Sequence, residues 1–194
     1  MSAGSHLGTA IRSGRAFLFL ALLALGVAAP RAHAQRAEAP EASVKAAFLY
    51  KFAGYVEWNA DSFASSDAPF VIAVMGSDEV AAELARIIPG RSVAGHAVTM
   101  RRVREGESLR GAHFLFVGRS ETGRLAGILR AAQRDGVLAV TETEKGLELG
   151  ASINFVLTGD RVGFEVSLDS AEKSGHRISS RMLTVARRVI PRAS

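Results

Sequence analysis

Three short runs of consecutive apolar residues constrain this chain more than any other feature: Phe70 to Met75 (FVIAVM), His113 to Val117 (HFLFV) and Val137 to Val140 (VLAV). Successive side chains of a strand point to opposite faces, so a run without polar alternation needs cover on both. Between the runs lie stretches of helical spacing. One runs from Glu79 to Ile88, after the turn Gly76-Ser77-Asp78 and before Pro89-Gly90. The other runs from Ser120 to Arg134 and puts Leu125, Ile128, Leu129 and Ala132 on one face. Strand, helix and strand in repeated order predict a parallel sheet between layers of helix.

The flanks complete the expectation. Val44, Ala47, Phe48, Phe52, Tyr55 and Val56 share one helical face and predict a first helix, whose aromatic stripe reads as core. Segments at Ser92-Val93 and from Ala97 to Val103 follow the second helix. Ile153 to Leu157 and Arg161 to Leu168, joined by Thr158-Gly159-Asp160, predict an antiparallel hairpin. A helical turn is expected from Asp169 to Ser174. A terminal amphipathic helix is expected from Ser179 to Ile190, with Ser179 or Ser180 as its cap. The sum is an α/β three-layer sandwich, mostly parallel, with a C-terminal antiparallel edge hairpin.

Charge has to be judged against processing. The formal net charge of +5 over 194 residues points towards nucleic acid. However, Arg12 and Arg15 precede the uncharged apolar run from Ala16 to Ala29, which is shorter than the ~18 to 20 residues of a membrane span. Ala32-His33-Ala34 then offers the small-x-small pattern of a signal peptidase site. Residues 1–34 read as a signal peptide cleaved before Gln35, 35–43 as a flexible lead-in, and 44–190 as a single domain. Arg12, Arg15 and Arg31 leave with the leader and no acidic residue does, so the charge falls to +2. That argues against a nucleic-acid partner. Cysteine is absent, so neither a lipoprotein thiol nor a disulfide is available.

Catalytic patterns fail on inspection. Gly118-Arg119-Ser120-Glu121-Thr122-Gly123-Arg124-Leu125 follows a strand with P-loop glycine spacing, yet Arg124 replaces the lysine and Leu125 the hydroxyl that holds magnesium. Gly118 and Ser120 are retained as an anion-binding candidate at the end of the helix. The same stretch misses the nucleophile elbow because its second glycine comes one residue late. His96, His113 and His176 are scattered, without a carboxylate at a diagnostic spacing. With no thiol, no metal-ligand set is recognisable, and neither catalytic residues nor a cofactor are expected. Arg101, Arg102 and Arg104 read as a solvated basic face. Glu165, between Phe164 and Val166, either accepts hydrogen bonds from Arg177 or the Ser179 region or faces water on an edge strand.

Several blocks then fall into a recognisable order: Val44-Lys45-Ala46-Ala47-Phe48-Leu49-Tyr50-Lys51-Phe52 with Glu57-Trp58; Pro69-Phe70-Val71-Ile72; Ala112-His113-Phe114-Leu115-Phe116-Val117; Ile153-Asn154-Phe155-Val156; Phe164-Glu165-Val166-Ser167-Leu168; and Arg177-Ile178-Ser179-Ser180. Behind a signal peptide, this combination resembles the YfiR/HmsC-like family of periplasmic regulators over nearly all of residues 42–190.

The resemblance implies a non-enzymatic periplasmic protein that represses a membrane-bound diguanylate cyclase, or a related sensor kinase, by binding its periplasmic portion. Cyclic di-GMP and biofilm formation would fall. A homodimer is among the assemblies the resemblance allows. Asn154, Glu165, Arg177, Ser179 and Ser180 match its polar positions and are the candidate partner or ligand residues. Ala112 stands where relatives often carry Cys, so redox control through cysteines of this chain is excluded. The alternative reading is a periplasmic small-ligand carrier or sensor using the helix ends at Gly76-Ser77-Asp78 and Gly118-Arg119-Ser120.

Overall fold

The computed structural model describes residues 32–58 and 60–192, with backbone alone for 32–40 and 60. The chain divides into two units, Met1–Ala37 and Glu38–Ser194. The described part of the first is the start of one helix, and the sheet with the elements around it belongs to the second. The leader expected over residues 1–34 lies outside the described residues except for the helical backbone of its last three.

Helix α1 (Ala32–Ala53) leads through β1 (Val56–Glu57) and a short 3-10 turn to β2 (Phe70–Met75), α2 (Asp78–Ile87), β3 (Ser92–Val93), β4 (His96–Arg102) and β5 (Phe114–Val117). A 3-10 segment, Arg119–Arg124, precedes α3 (Leu125–Arg134), β6 (Leu138–Thr141), β7 (Ile153–Thr158) and β8 (Arg161–Ser167). The chain ends in α4 (Leu168–Lys173), β9 (Arg177–Ile178), α5 (Ser180–Leu183) and β10 (Arg188–Ile190).

The described residues form an eight-stranded sheet in the order β10-β8-β7-β6-β5-β2-β4-β3 and a two-stranded ribbon of β1 and β9. Strands β4, β2, β5, β6 and β7 are mutually parallel, while β7–β8 and β3–β4 are antiparallel hairpins. This is the mixed α/β sandwich that the apolar runs predict. Alternation along the strands makes two cores. Phe70, Ile72, Val74, Phe114 and Phe116 pack with α1 and α2, whereas Ala73, Met75, Leu115 and Val117 pack with α3. Phe52 of α1 meets Phe164 of β8 edge-on, with ring centroids 4.7 Å apart. Such a pair adds about 0.5–1.5 kcal/mol to the burial of its area.

Three expectations change. The lead-in over 35–43 is helical backbone, because α1 reaches back past Val44. The helix pattern from Ser120 to Arg134 splits, being 3-10 up to Arg124 and α-helical only from Leu125. The terminal helix expected from Ser179 to Ile190 is four residues long, and Arg188–Ile190 joins the sheet as β10, parallel to β8 and outside the hairpin. A short isolated helix gains little from its own hydrogen bonds, while the open side of β8 offers a ladder to pair with.

Candidate functional site

Strand β2 has β4 on one side and β5 on the other, so the connections reverse direction between β2 and β5. A crevice opens beyond the carboxyl ends of parallel strands at such a reversal. Here it is lined by Glu41, Lys45, Gly76, Ser77, Arg119 and Glu142 and encloses about 210 Å³. Gly76 turns out of β2 at φ +73°, in the left-handed region that favours glycine. Gly118 donates its N–H to the Met75 carbonyl at 2.8 Å, and the Ser120 hydroxyl donates to the Gly76 carbonyl at 2.9 Å. A Cβ on Gly118 would overlap the Gly76 carbonyl group, its carbon only 2.7 Å away. The P-loop-like glycine is therefore explained by two strand ends in contact.

The charges in this crevice satisfy one another. Lys45, 3% exposed, projects from α1 and pairs with Glu41 one helical turn back and with Glu142 beyond β6. The Arg119 guanidinium reaches Glu41 at 2.8 Å, and the Arg119 backbone N–H donates to Glu142 Oε1 at 3.0 Å. The amide offered between Gly118 and Ser120 thus holds a carboxylate of the chain itself. Sequence reasoning missed this network. Its signal was Lys45, which shares a helical face with Leu49 and Phe52 where a cation is out of place. A larger, open cleft of about 890 Å³ beside it carries the pairs Arg102–Asp78 at 3.3 Å and Arg124–Glu121 at 2.7 Å. Arg101 instead donates to the carbonyls of Ser108 and Arg110.

The five polar positions fall into two groups. Asn154 and Glu165 sit opposite each other in the β7–β8 ladder. Asn154 is buried with Oδ1 unpartnered, close against Gly146. Glu165 takes both nitrogens of a bidentate contact from Arg188, each at 2.9 Å, so its partner is Arg188 rather than Arg177 or the Ser179 region. Arg177 instead lies opposite Glu57 in the β1–β9 ribbon. Ser179 donates its N–H to the Tyr55 carbonyl at 2.8 Å and caps α5 by accepting from the Arg181 N–H. Ser180 is exposed beside it. This corner also presents Tyr55, 41% exposed, and Val185, 69% exposed.

The histidines, scattered in sequence, gather at the amino ends of β2 and β5. The His113 ring packs on Phe70 at 4.7 Å and Phe63 at 4.6 Å between centroids, with Trp58 edge-on at 5.7 Å. His176 also meets Trp58, at 4.8 Å, and His96 stacks flat on Phe63 at 3.5 Å. His113 Nδ1 accepts the Val71 N–H at 3.1 Å, His176 Nε2 meets the Gly136 carbonyl at 2.8 Å, and His96 Nδ1 meets the Ala68 carbonyl at 2.6 Å. Burial pushes the His113 and His176 imidazoles below their ordinary range. Among the described residues no group of three or more His, Asp or Glu side chains is placed to hold a metal ion.

A family model described as YfiR/HmsC-like matches residues 42–187. No curated protein matches the chain. Among the solved structures similar to it, two align at 12% identity. A conserved domain protein from Vibrio cholerae O1 biovar El Tor aligns over 61% of this chain and 54% of its own, with a TM-score of 0.47. The ABC domain in complex with L-Trp from Streptococcus pneumonia aligns over 62% and 55%, with a TM-score of 0.46. The chain spans about half the length of each.

Proposed function

The chain belongs to the YfiR/HmsC-like family of periplasmic regulators, and on that premise we propose that it represses a membrane-bound diguanylate cyclase, or a related sensor kinase, by binding its periplasmic portion. The observation that carries the reading is the extent of the match, which runs from within α1 to just beyond α5. The mechanism is differential binding. The repressor holds the quiescent conformation of its partner more tightly than the active one, and only that difference shifts the equilibrium. The corner of β1, β9 and α5 suits such a contact, since Tyr55 and Val185 expose apolar surface beside Arg177, Ser179 and Ser180. Among the described residues no helix is long and apolar enough to cross a membrane. The reading includes export through a leader over residues 1–34, removed before Gln35.

Affinity capture from detergent-solubilised membranes tests this. The expected catch is a cyclase or kinase with a periplasmic sensor portion, and deletion of the gene should raise cyclic di-GMP. Capture of no membrane enzyme, with cyclic di-GMP unchanged, would overturn the proposal. The crevice between β2 and β5 favours a second reading, a small-ligand carrier or sensor, because open α/β sheets bind ligands at this reversal point. A ligand-induced rise in Tm without any membrane partner would select it.

A further inference from the structure

We infer that His113 and His176, both in ring contact with Trp58, form an acid-sensitive latch that releases the β1–β9 ribbon when the imidazoles take up protons. The register of the ribbon places Val56 opposite Ile178 and Glu57 opposite Arg177. One step further, Trp58 stands opposite His176, and their rings are in contact. His113 also meets Trp58, edge-on. The two imidazoles thus both contact the first residue beyond β1.

Neutral His113 is required by its hydrogen bond. Nδ1 accepts from the Val71 N–H, so the ring proton sits on the buried Nε2, and the backbone of Ser62 is the one group that favours the charged ring. A second proton would have to go on Nδ1, facing the Val71 N–H; the bond would be lost and two donors would oppose each other. Burial already disfavours the charged form of both rings. The charges acting on His113 are His96, from β4, and His176, and each opposes a further positive charge. Glu57 and Arg177 of the ribbon and Asp61 and Asp67 of the loop before β2 are near in sequence. No carboxylate figures among the charges acting on either ring. The backbone groups of Ser62 and Gly136 favour the charged rings but do not offset burial, so the cheapest response to a proton is local opening of the two-residue ribbon rather than of the sheet. The Ser179 N–H to Tyr55 carbonyl bond lies next to the ribbon. Acid would therefore rearrange the exposed corner around Tyr55 whatever binds there.

Trp58 is the only tryptophan of the chain and reports the event directly, because a protonated imidazole against indole quenches its emission. Titration of the purified protein from pH 8 to 4.5 should show a quenching step below the ordinary imidazole range. Amide exchange at residues 56–58 and 176–179 should rise at least several-fold between pH 7.5 and 5, with β5 and β6 still protected. The double variant His113→Asn, His176→Gln should lose the step, and His96→Asn should keep it. Persistence of the step in the double variant would overturn the latch, as would ribbon exchange equal at pH 5 and 7.5. If the double variant does not fold, ring-proton NMR of the wild type decides. The His113 or His176 titration must coincide with the opening, and a different midpoint rejects the inference.

Discussion

Glu165 of β8 and Arg188 of β10 meet through two parallel hydrogen bonds of 2.9 Å, across a register that pairs their Cα positions. This fork joins the last strand to the hairpin, and the carboxylate beside it raises the Arg188 pKa. Arg188 is half exposed, so water screens the pair. Glu165→Gln should therefore keep the fold and lower Tm by only a few degrees in a thermal melt. A collapse of the melt would show that β10 holds the sheet together, and loss of repression at unchanged Tm would assign Glu165 to the partner.

Lys45 is the opposite case, because its charge is buried between two carboxylates. Lys45→Met leaves Glu142, 8% exposed, and Glu41 with only the largely exposed Arg119 as a shared cation. Breaking one partner of a buried pair costs about 3–5 kcal/mol. Urea unfolding should show a loss towards the lower end of that range, because Arg119 remains, and adding Glu142→Leu should recover part of it, since the buried carboxylate is then gone. A loss within experimental error would mean that the network is solvated.

Gly118→Ala tests the contact between the ends of β2 and β5. The added methyl meets the Gly76 carbonyl, backbone against backbone, and neither can turn aside as a side chain could. Overpacking of this kind costs about 1–3 kcal/mol or more. Chemical denaturation measures it, and a neutral result would show that the crevice opens freely.

Stability should depend on pH through the buried imidazoles. Burial holds the folded His113 and His176 pKa values below the ordinary value, so the unfolded chain binds protons first. Their contribution is fully present above about pH 6.5 and is lost as pH falls below it towards the folded values. The slope is at most about 1.4 kcal/mol per pH unit for each ring. Urea midpoints at pH 7.5 and 5 measure this, and His113→Asn should flatten the difference.

Val185 lies beyond α5 and is 69% exposed, so Val185→Glu should change stability by no more than about 0.5 kcal/mol. If the β1, β9 and α5 corner contacts the membrane partner, the same change should cut capture at least about tenfold, an apolar contact being replaced by a buried charge. Undiminished capture would move the contact to another face.

The amino-acid sequence alone determined the layered α/β architecture, because the strand and helix periods of residues 70–75, 113–117, 125–134 and 153–168 are local properties that burial on two faces leaves little choice about. It also placed the family resemblance on blocks spread across the domain. What only the tertiary structure decided was partnership. Lys45 found Glu142, which is 97 residues away, Glu165 found Arg188 rather than Arg177, and three separate histidines converged on Trp58 and Phe63. Arg188–Ile190 became a strand because β8 had an open side, which helical spacing in that segment could not reveal. Periodicity records which face of an element is buried, whereas the group met there depends on how distant elements stack once the chain has closed.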